Sequence, residues 1–311
     1  MASCGPRACA GCRLRFGWSR GRRRCFKKVQ GKHPSLRKDR GRAGQGRPRP
    51  SPPAGKGAPR QHAPSARREN RAASEVAQIY GFHSVEAALK ASRRKLIRLY
   101  ATPAAAARLA EATAARGVET VVLTNEEIAL RAPRQAVHQG VLLEARPLEP
   151  IDLSELPDRG VIVVLDQVTD PHNVGAILRT GAAFAIDALV TTERHSPEFS
   201  GALAKSASGG LEHVPICSVV NLARALQELG DRGYWRVGLD SEGPQSLENA
   251  QLSRPLALVL GAEGKGLRRL TRENCDVLAR LDMPGQIKSL NVSNACAVAL
   301  TIARAKLTSE V

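Results

Sequence analysis

Residues 161–180 read VIVVLDQVTDPHNVGAILRT, and this stretch decides the fold. Its first eight residues are a nearly unbroken β-branched run, the composition of a strand buried on both faces. Apolar residues at helical spacing follow, so a helix is expected over 174–185 with Asn173 standing as its N-cap. The alternation continues downstream. Strands are expected at 187–193, 214–220, 235–240, 256–261 and 277–283, with helices after Pro197 and at 221–230, 266–275 and 292–307. Strands alternating with helices imply an α/β domain, a parallel sheet covered on both faces, spanning 161–311.

Upstream, residues 148–160 (LEPIDLSELPDRG) read as a linker, and residues 77–147 as a smaller α/β unit. In that unit helices are expected at 82–91, from Pro103 to Gly117 and at 125–132, with strands at 95–101, 118–124 and 140–145. Residues 1–76 are expected to be a disordered basic tail. Residues 1–75 hold 21 Lys and Arg against 3 Asp and Glu, while residues 76–311 hold 26 of each sign, so the tail carries the whole net charge of +18. Such a segment favours polyanions through counterion release, with little sequence selectivity.

The composition excludes several classes. No run approaches the length of a membrane-spanning helix. Aromatics make up 3% of the chain, which leaves few stacking platforms for single-stranded RNA. The seven cysteines lack the even, regular spacing of a secreted disulfide framework. Cys9 and Cys12 form a lone C-x-x-C beside Cys4 and Cys25, without the second close pair that a zinc site needs, while Cys217, Cys275 and Cys296 read as small buried hydrophobes. His83 and His138 lack metal-ligand spacing, and no metal is expected. Residues 1–30 are Arg-rich and free of acid, a composition shared with mitochondrial transit peptides; cytoplasmic residence is the expectation, with the mitochondrial matrix as the alternative.

Three segments at expected carboxyl ends of strands carry more chemistry than a scaffold needs. In open parallel sheets, ligands sit at those ends. The first, DPHNVGAILRT at 170–180, sets Gly175, Arg179 and Ala183 at i, i+4 spacing on one helix face. The second, GAEGKGL at 261–267, is a Gly-rich loop with one acid, Glu263. It fails as a phosphate-binding loop because Gly264-Lys265 is followed by Gly266 rather than Ser or Thr, and as a dinucleotide fingerprint because Arg269 stands where the third glycine belongs. The third, GQIKSLNVSNACAVAL at 285–300, crowds Ser289, Asn291, Ser293 and Asn294 at the start of an apolar helix, where one N-cap would suffice.

Taken in this order, N-x-x-x-x-x-R at 173–179, L-G-x-E-G-x-G at 260–266 and S-L-N-V-S at 289–293 resemble the TrmH-type RNA ribose 2′-O-methyltransferases of the SPOUT superfamily. IYGFHSVEAAL at 79–89 and HQGVLLEA at 138–145 resemble the RNA-binding domain of those members that act on a guanosine of large-subunit ribosomal RNA. The resemblance covers roughly 78–308. It implies a C-terminal deep trefoil knot, S-adenosylmethionine held by Gly261, Leu281 and Leu290 largely through backbone groups, an RNA substrate and a homodimer. It also implies that Arg179 activates the ribose hydroxyl, supported by Asn173, Glu263, Ser289 and Asn291. A guanidinium stays charged, with a pKa above ~12, so Arg179 is expected to orient the hydroxyl and stabilise its negative charge rather than act as a base. Glu263 is expected to position Arg179 by a charge-assisted pair. A transfer RNA target, or a non-catalytic RNA-binding protein on the same scaffold, are the competing expectations.

Overall fold

The computed structural model describes residues 76–194, 196–197 and 201–309. The basic tail with its C-x-x-C lies outside the described residues. The smaller sheet contains β1 (Ala77–Tyr80), β2 (Leu96–Ala101), β3 (Glu119–Val122) and β4 (Val141–Ala145) in the order β1-β4-β2-β3. It is mixed: β4 runs antiparallel to β1 and β2, whereas β2 and β3 are parallel. Helices α1 (Phe82–Lys90), α2 (Pro103–Arg116) and α3 (Asn125–Arg131) accompany it. Local chemistry sets the ends: Pro103 opens α2, Gly117 closes it at φ 61°, and a reciprocal Thr124–Glu127 capping box starts α3. Strand β1 was not among the sequence expectations. It is four residues long, and only Ile79 and Tyr80 are buried, too little alternation to stand out.

The larger sheet has seven strands: β5 (Val161–Asp166), β6 (Ala188–Thr192), β7 (Ile216–Val219), β8 (Trp235–Leu239), β9 (Gln245–Ser246), β10 (Leu256–Gly261) and β11 (Val277–Arg280). Their order is β7-β6-β5-β10-β8-β11-β9, and every pairing is parallel. Strand β5 sits between β6 and β10, with Ile162, Val163, Val164 and Leu165 fully buried. Burying each such side chain contributes roughly 1.5–3 kcal/mol, which is why VIVVL reads as one apolar run. Helices α4 (Pro171–Ala183), α5 (Gly201–Ala207), α6 (Gly210–His213), α7 (Leu222–Asp231), α8 (Arg269–Glu273) and α9 (Val292–Ser309) complete the unit.

Two helix starts differ from expectation, for the same reason: an aspartate takes the backbone N–H groups. Asn173 is not the N-cap of α4. Asp170 is, its Oδ1 accepting from the His172 N–H at 3.1 Å, and Pro171 occupies the first helical position, where a missing N–H is tolerated. Helix α8 is shorter than 266–275 because the Arg268 N–H donates to Asp166 Oδ2 at 2.9 Å, holding the preceding loop extended.

The two sheets share a core that runs from Ile79, Leu99 and Leu143 to Val163, Leu258 and Leu300. At their junction, the Ser84 hydroxyl donates to the Ala204 carbonyl at 3.0 Å. Beside it, Arg94 and Glu212, each 3% exposed, form a buried ion pair at 2.9 Å, and Arg94 Nη1 also donates to the Arg146 carbonyl. No described helix is long and apolar enough to cross a membrane.

Candidate active site

The carboxyl ends of β5, β8, β10 and β11 lie on one edge of the sheet, because parallel strands end together. In register, Gly261 at the end of β10 faces Asp166 at the end of β5. The loop after β10 folds back on itself: the Gly266 N–H donates to the Ala262 carbonyl at 2.9 Å, and Gly264 and Gly266 adopt φ of 73° and 63°. A Cβ at Gly261 would collide with the backbone of Gly266 and Leu267, so only glycine allows this closure. The loop lifts Glu263 to the rim.

There the carboxylate gathers donors from two distant segments. Glu263 Oε1 accepts from Asn173 Nδ2 at 2.9 Å, from Asn291 Nδ2 at 2.7 Å and from the Val292 N–H at 3.3 Å. Asn291 Nδ2 also donates to Asn173 Oδ1 at 2.9 Å, while Asn291 Oδ1 accepts from the Ser293 N–H and hydroxyl at 2.9 and 2.6 Å. Asn291 thus caps α9 and joins the network, which accounts for two of the polar groups crowding that helix start. Asn173, released from capping α4 by Asp170, has its amide free for Glu263. Glu263 Oε2 has no partner among the described residues, so the network is open on one side.

Two cavities meet at this network. The first, of about 320 Å³, is walled by Leu239–Ser241, the 260–266 loop, Leu281, Met283, and Lys288–Leu290 with Val292 and Ala295. The expected cofactor residues Gly261, Leu281 and Leu290 all line it, as do Glu263 and Ser289. Ser289 has no hydrogen-bond partner among the described residues. The second cavity, of about 440 Å³, is lined by Gln167–Asp170, Asn173, Ala262, Glu263, Lys265 and Val292. Ala262, Glu263 and Val292 form the wall between the two. The first cavity combines apolar side chains with backbone groups and suits an adenosine bearing a sulfonium; the second is more polar.

Arg179 stands apart. It is exposed on α4, and the charge-assisted pair with Glu263 is not formed: Glu263 is bonded to the two asparagines instead. Six residues separate Arg179 from Asn173, which turns it roughly 120° around the helix. Gly175, on Arg179's side of α4, packs against α5, where a Cβ would come 2.9 Å from the Leu203 carbonyl oxygen. Its small size serves helix packing.

Residues that sequence reasoning passed over also shape the site. Asp166, fully buried, accepts Arg268 Nε at 2.6 Å as well as its N–H, and so anchors the far end of the glycine loop. Gln167, at φ 61°, turns the chain sharply after β5. The visible signal was an aspartate closing an otherwise apolar strand. Burial pushes the Cys275 and Cys296 thiols up to about 12, consistent with inert packing. Among the described residues, no group of His, Cys, Asp and Glu could hold a metal ion.

This sequence and fold match known proteins. Residues 160–301 match the SpoU rRNA methylase family, and residues 78–151 match the RNA 2′-O ribose methyltransferase substrate-binding domain. The chain is 39% identical over 236 residues to the 23S rRNA (guanosine-2′-O-)-methyltransferase RlmB of Pseudomonas putida, covering 73% of this chain and 95% of that one. It is 41% identical over 231 residues to RlmB of Ralstonia nicotianae, covering 71% and 92%. Among solved structures, the SpoU methyltransferase AviRb from Streptomyces viridochromogenes, in complex with the cofactor AdoMet, superposes with a TM-score of 0.66 at 20% identity, covering 77% of this chain and 93% of that one. The AdoMet-bound rRNA methyltransferase from Sinorhizobium meliloti gives 0.62 at 22% identity, covering 77% and 91%; at these identities both bear on the fold alone. The chain belongs to the SpoU family of RNA 2′-O-ribose methyltransferases, enzymes that use S-adenosylmethionine.

Proposed function

We propose that the chain methylates the ribose 2′-hydroxyl of a guanosine in 23S-type large-subunit ribosomal RNA. The observation that carries this reading is the Glu263–Asn173–Asn291 network, standing between a cavity fit for a nucleoside cofactor and a polar one open to a substrate. Relatives about 40% identical over nearly their whole length support the RNA target.

Gly261, Leu281 and Leu290 hold the cofactor, which supplies an already activated methyl group. Asn173, Glu263 and Asn291 fix the geometry of the rim, Ser289 offers its free hydroxyl to the ligand, and Arg179 stabilises negative charge on the ribose oxygen as that oxygen gives its proton to water and takes the methyl from sulfur. The protein's contribution is alignment and electrostatics.

Arg179 lies on a different face of α4 from Asn173, and a homodimer that brings the Arg179 of a second copy alongside completes the site. The exposed face of α9, with Val298 41% exposed, suits such an interface. Residues 77–147 form the RNA-binding domain, 148–160 the linker and 161–311 the catalytic domain, and the last third of the chain is threaded as a deep trefoil knot. The enzyme works in the cytoplasm. The tail adds general RNA affinity: removing residues 1–75 lowers the salt dependence of binding and leaves cofactor affinity unchanged.

The direct test is transfer of labelled methyl from S-adenosylmethionine to unmodified large-subunit ribosomal RNA, mapped by resistance to alkaline cleavage. One protected guanosine, lost in Arg179→Ala, is the expected result. Transfer to tRNA alone would replace the substrate and keep the chemistry.

A further inference from the structure

The site does not end at the second cavity. Gln167 lines that cavity and also a third one, of about 530 Å³, on the side of the sheet toward β6 and β7. This third space is walled by Thr192, Arg194, Val220–Ala223 and Arg268–Thr271. The three cavities therefore follow one another, each sharing at least one lining residue with the next: nucleoside pocket, Glu263 network, then a groove bearing three arginines.

The groove's charges are unequal in what holds them. Arg268 is pinned from below by the buried Asp166 and forms a fixed part of the floor. Arg269, 76% exposed, meets only the exposed Glu273 one turn along its helix, at 2.6 Å, a pair easily exchanged for another anion. Arg194 is exposed and its side chain has no partner among the described residues. Glu193 beside it and Glu273 are the acids nearest in sequence. Val220 and Leu270 leave apolar surface exposed at the same walls. Cations presented beside apolar patches match an RNA strand, whose phosphates need charge and whose sugars and bases need contact area.

We propose that this groove holds the phosphodiester backbone of the nucleotides flanking the methylated ribose, with Arg194 and Arg269 contacting phosphates. The proposal rests on the reading that RNA presents its ribose at the Glu263 network. It gives the SpoU domain its own grip on the strand, distinct from that of residues 77–147 and of the tail. Its consequence is register: phosphates held in the groove fix which ribose reaches Glu263.

The test uses the full chain and an RNA fragment containing the methylated position. Arg194→Ala combined with Arg269→Ala should reduce the slope of log affinity against log salt by about 0.7–0.9 per residue removed. KM for RNA should rise several-fold, while kcat at saturating RNA, S-adenosylmethionine affinity and melting temperature stay unchanged. Arg194→Lys with Arg269→Lys should recover the slope, since a phosphate contact needs the charge. An unchanged slope and KM in the alanine variant, with the wild type methylating normally, overturns the groove and leaves the enzymatic reading intact. A reduced slope in a chain whose wild type binds the RNA without methylating it supports the groove and sinks the target assignment. A wild-type chain that does not bind the RNA overturns both.

Discussion

Two polar networks hold this molecule together, and they are built on opposite plans. Arg94 and Glu212, each 3% exposed, close on one another at the junction of the two sheets, with a backbone carbonyl accepting from the remaining guanidinium nitrogen. The Glu263 network lies at the surface, and one carboxylate oxygen is left without a partner among the described residues. A closed network loses by any single deletion, because that strands a buried charge. An open one has capacity left over, and that capacity is where a ligand can act.

The largest effect should therefore fall on the closed network and on stability alone. Glu212→Ala should cost about 3–5 kcal/mol by leaving Arg94 buried and unpaired, read as a shift in denaturant midpoint, while activity per folded molecule holds. Arg94→Met with Glu212→Leu should recover most of the loss. If the single variant is as stable as wild type, the junction is not closed in solution.

The next effect should fall on turnover alone. Arg179→Ala should lower kcat by about 10²–10³, the usual cost of one donor to a developing oxyanion, with the melting temperature and cofactor affinity unchanged. Mixing Arg179→Ala with Glu263→Ala chains should restore about a quarter of wild-type activity if the two residues act across a symmetric dimer. Recovery absent from a mixture shown to exchange subunits would return Arg179 to its own chain's site.

A smaller loss is expected at Asn173. Asn173→Ala removes one hydrogen bond to the Glu263 carboxylate and the one accepted from Asn291; at about 1.5 kcal/mol, the low end for a bond to a charged group because the site is exposed, turnover should fall by roughly tenfold with little change in stability. Smallest of all is the Arg236–Asp276 pair, at 2.6 Å and part-exposed, which stands between the two plans. Burial raises the Asp276 pKa, but hydrogen bonds from the Arg236 side chain and backbone outweigh it and the net shift is downward. Its stabilisation is therefore complete above the unfolded carboxylate pKa of about 3.9 and is lost as pH falls through the lower folded value. Acid titration of Asp276→Asn against wild type should show a difference that closes below that range.

How legible was this in the residues? Apart from the two-residue β9 (Gln245–Ser246), the strands of the larger sheet announced themselves, because runs such as VIVVL and LALVL have no polar residue that would permit a solvent face. Strand β1 did not, since pairing with β4 decides it rather than its own four residues. The members of the site were readable as surplus polar groups on a helix start and a glycine loop, but their partners were not. Charge alone suggested Glu263 with Arg179; helix phase, which depends on where α4 begins, gave Glu263 the amides instead. The Asp170-Pro171 pair signalled that beginning and was outweighed by an equally good capping residue at 173. The third cavity was invisible because Thr192 at the end of β6, Asn221 capping α7 and Arg269 opening α8 are brought together only by the sheet order.

Glu263 draws its partners from 90 residues upstream and 28 residues downstream. Asn173 is synthesised first and Asn291 last, and neither has a carboxylate to bind until β10 has inserted beside β5. Catalytic competence is thus a readout of finished topology. A chain arrested before β10 inserts cannot assemble the Glu263 network, so regained activity in refolding should trail regained secondary structure.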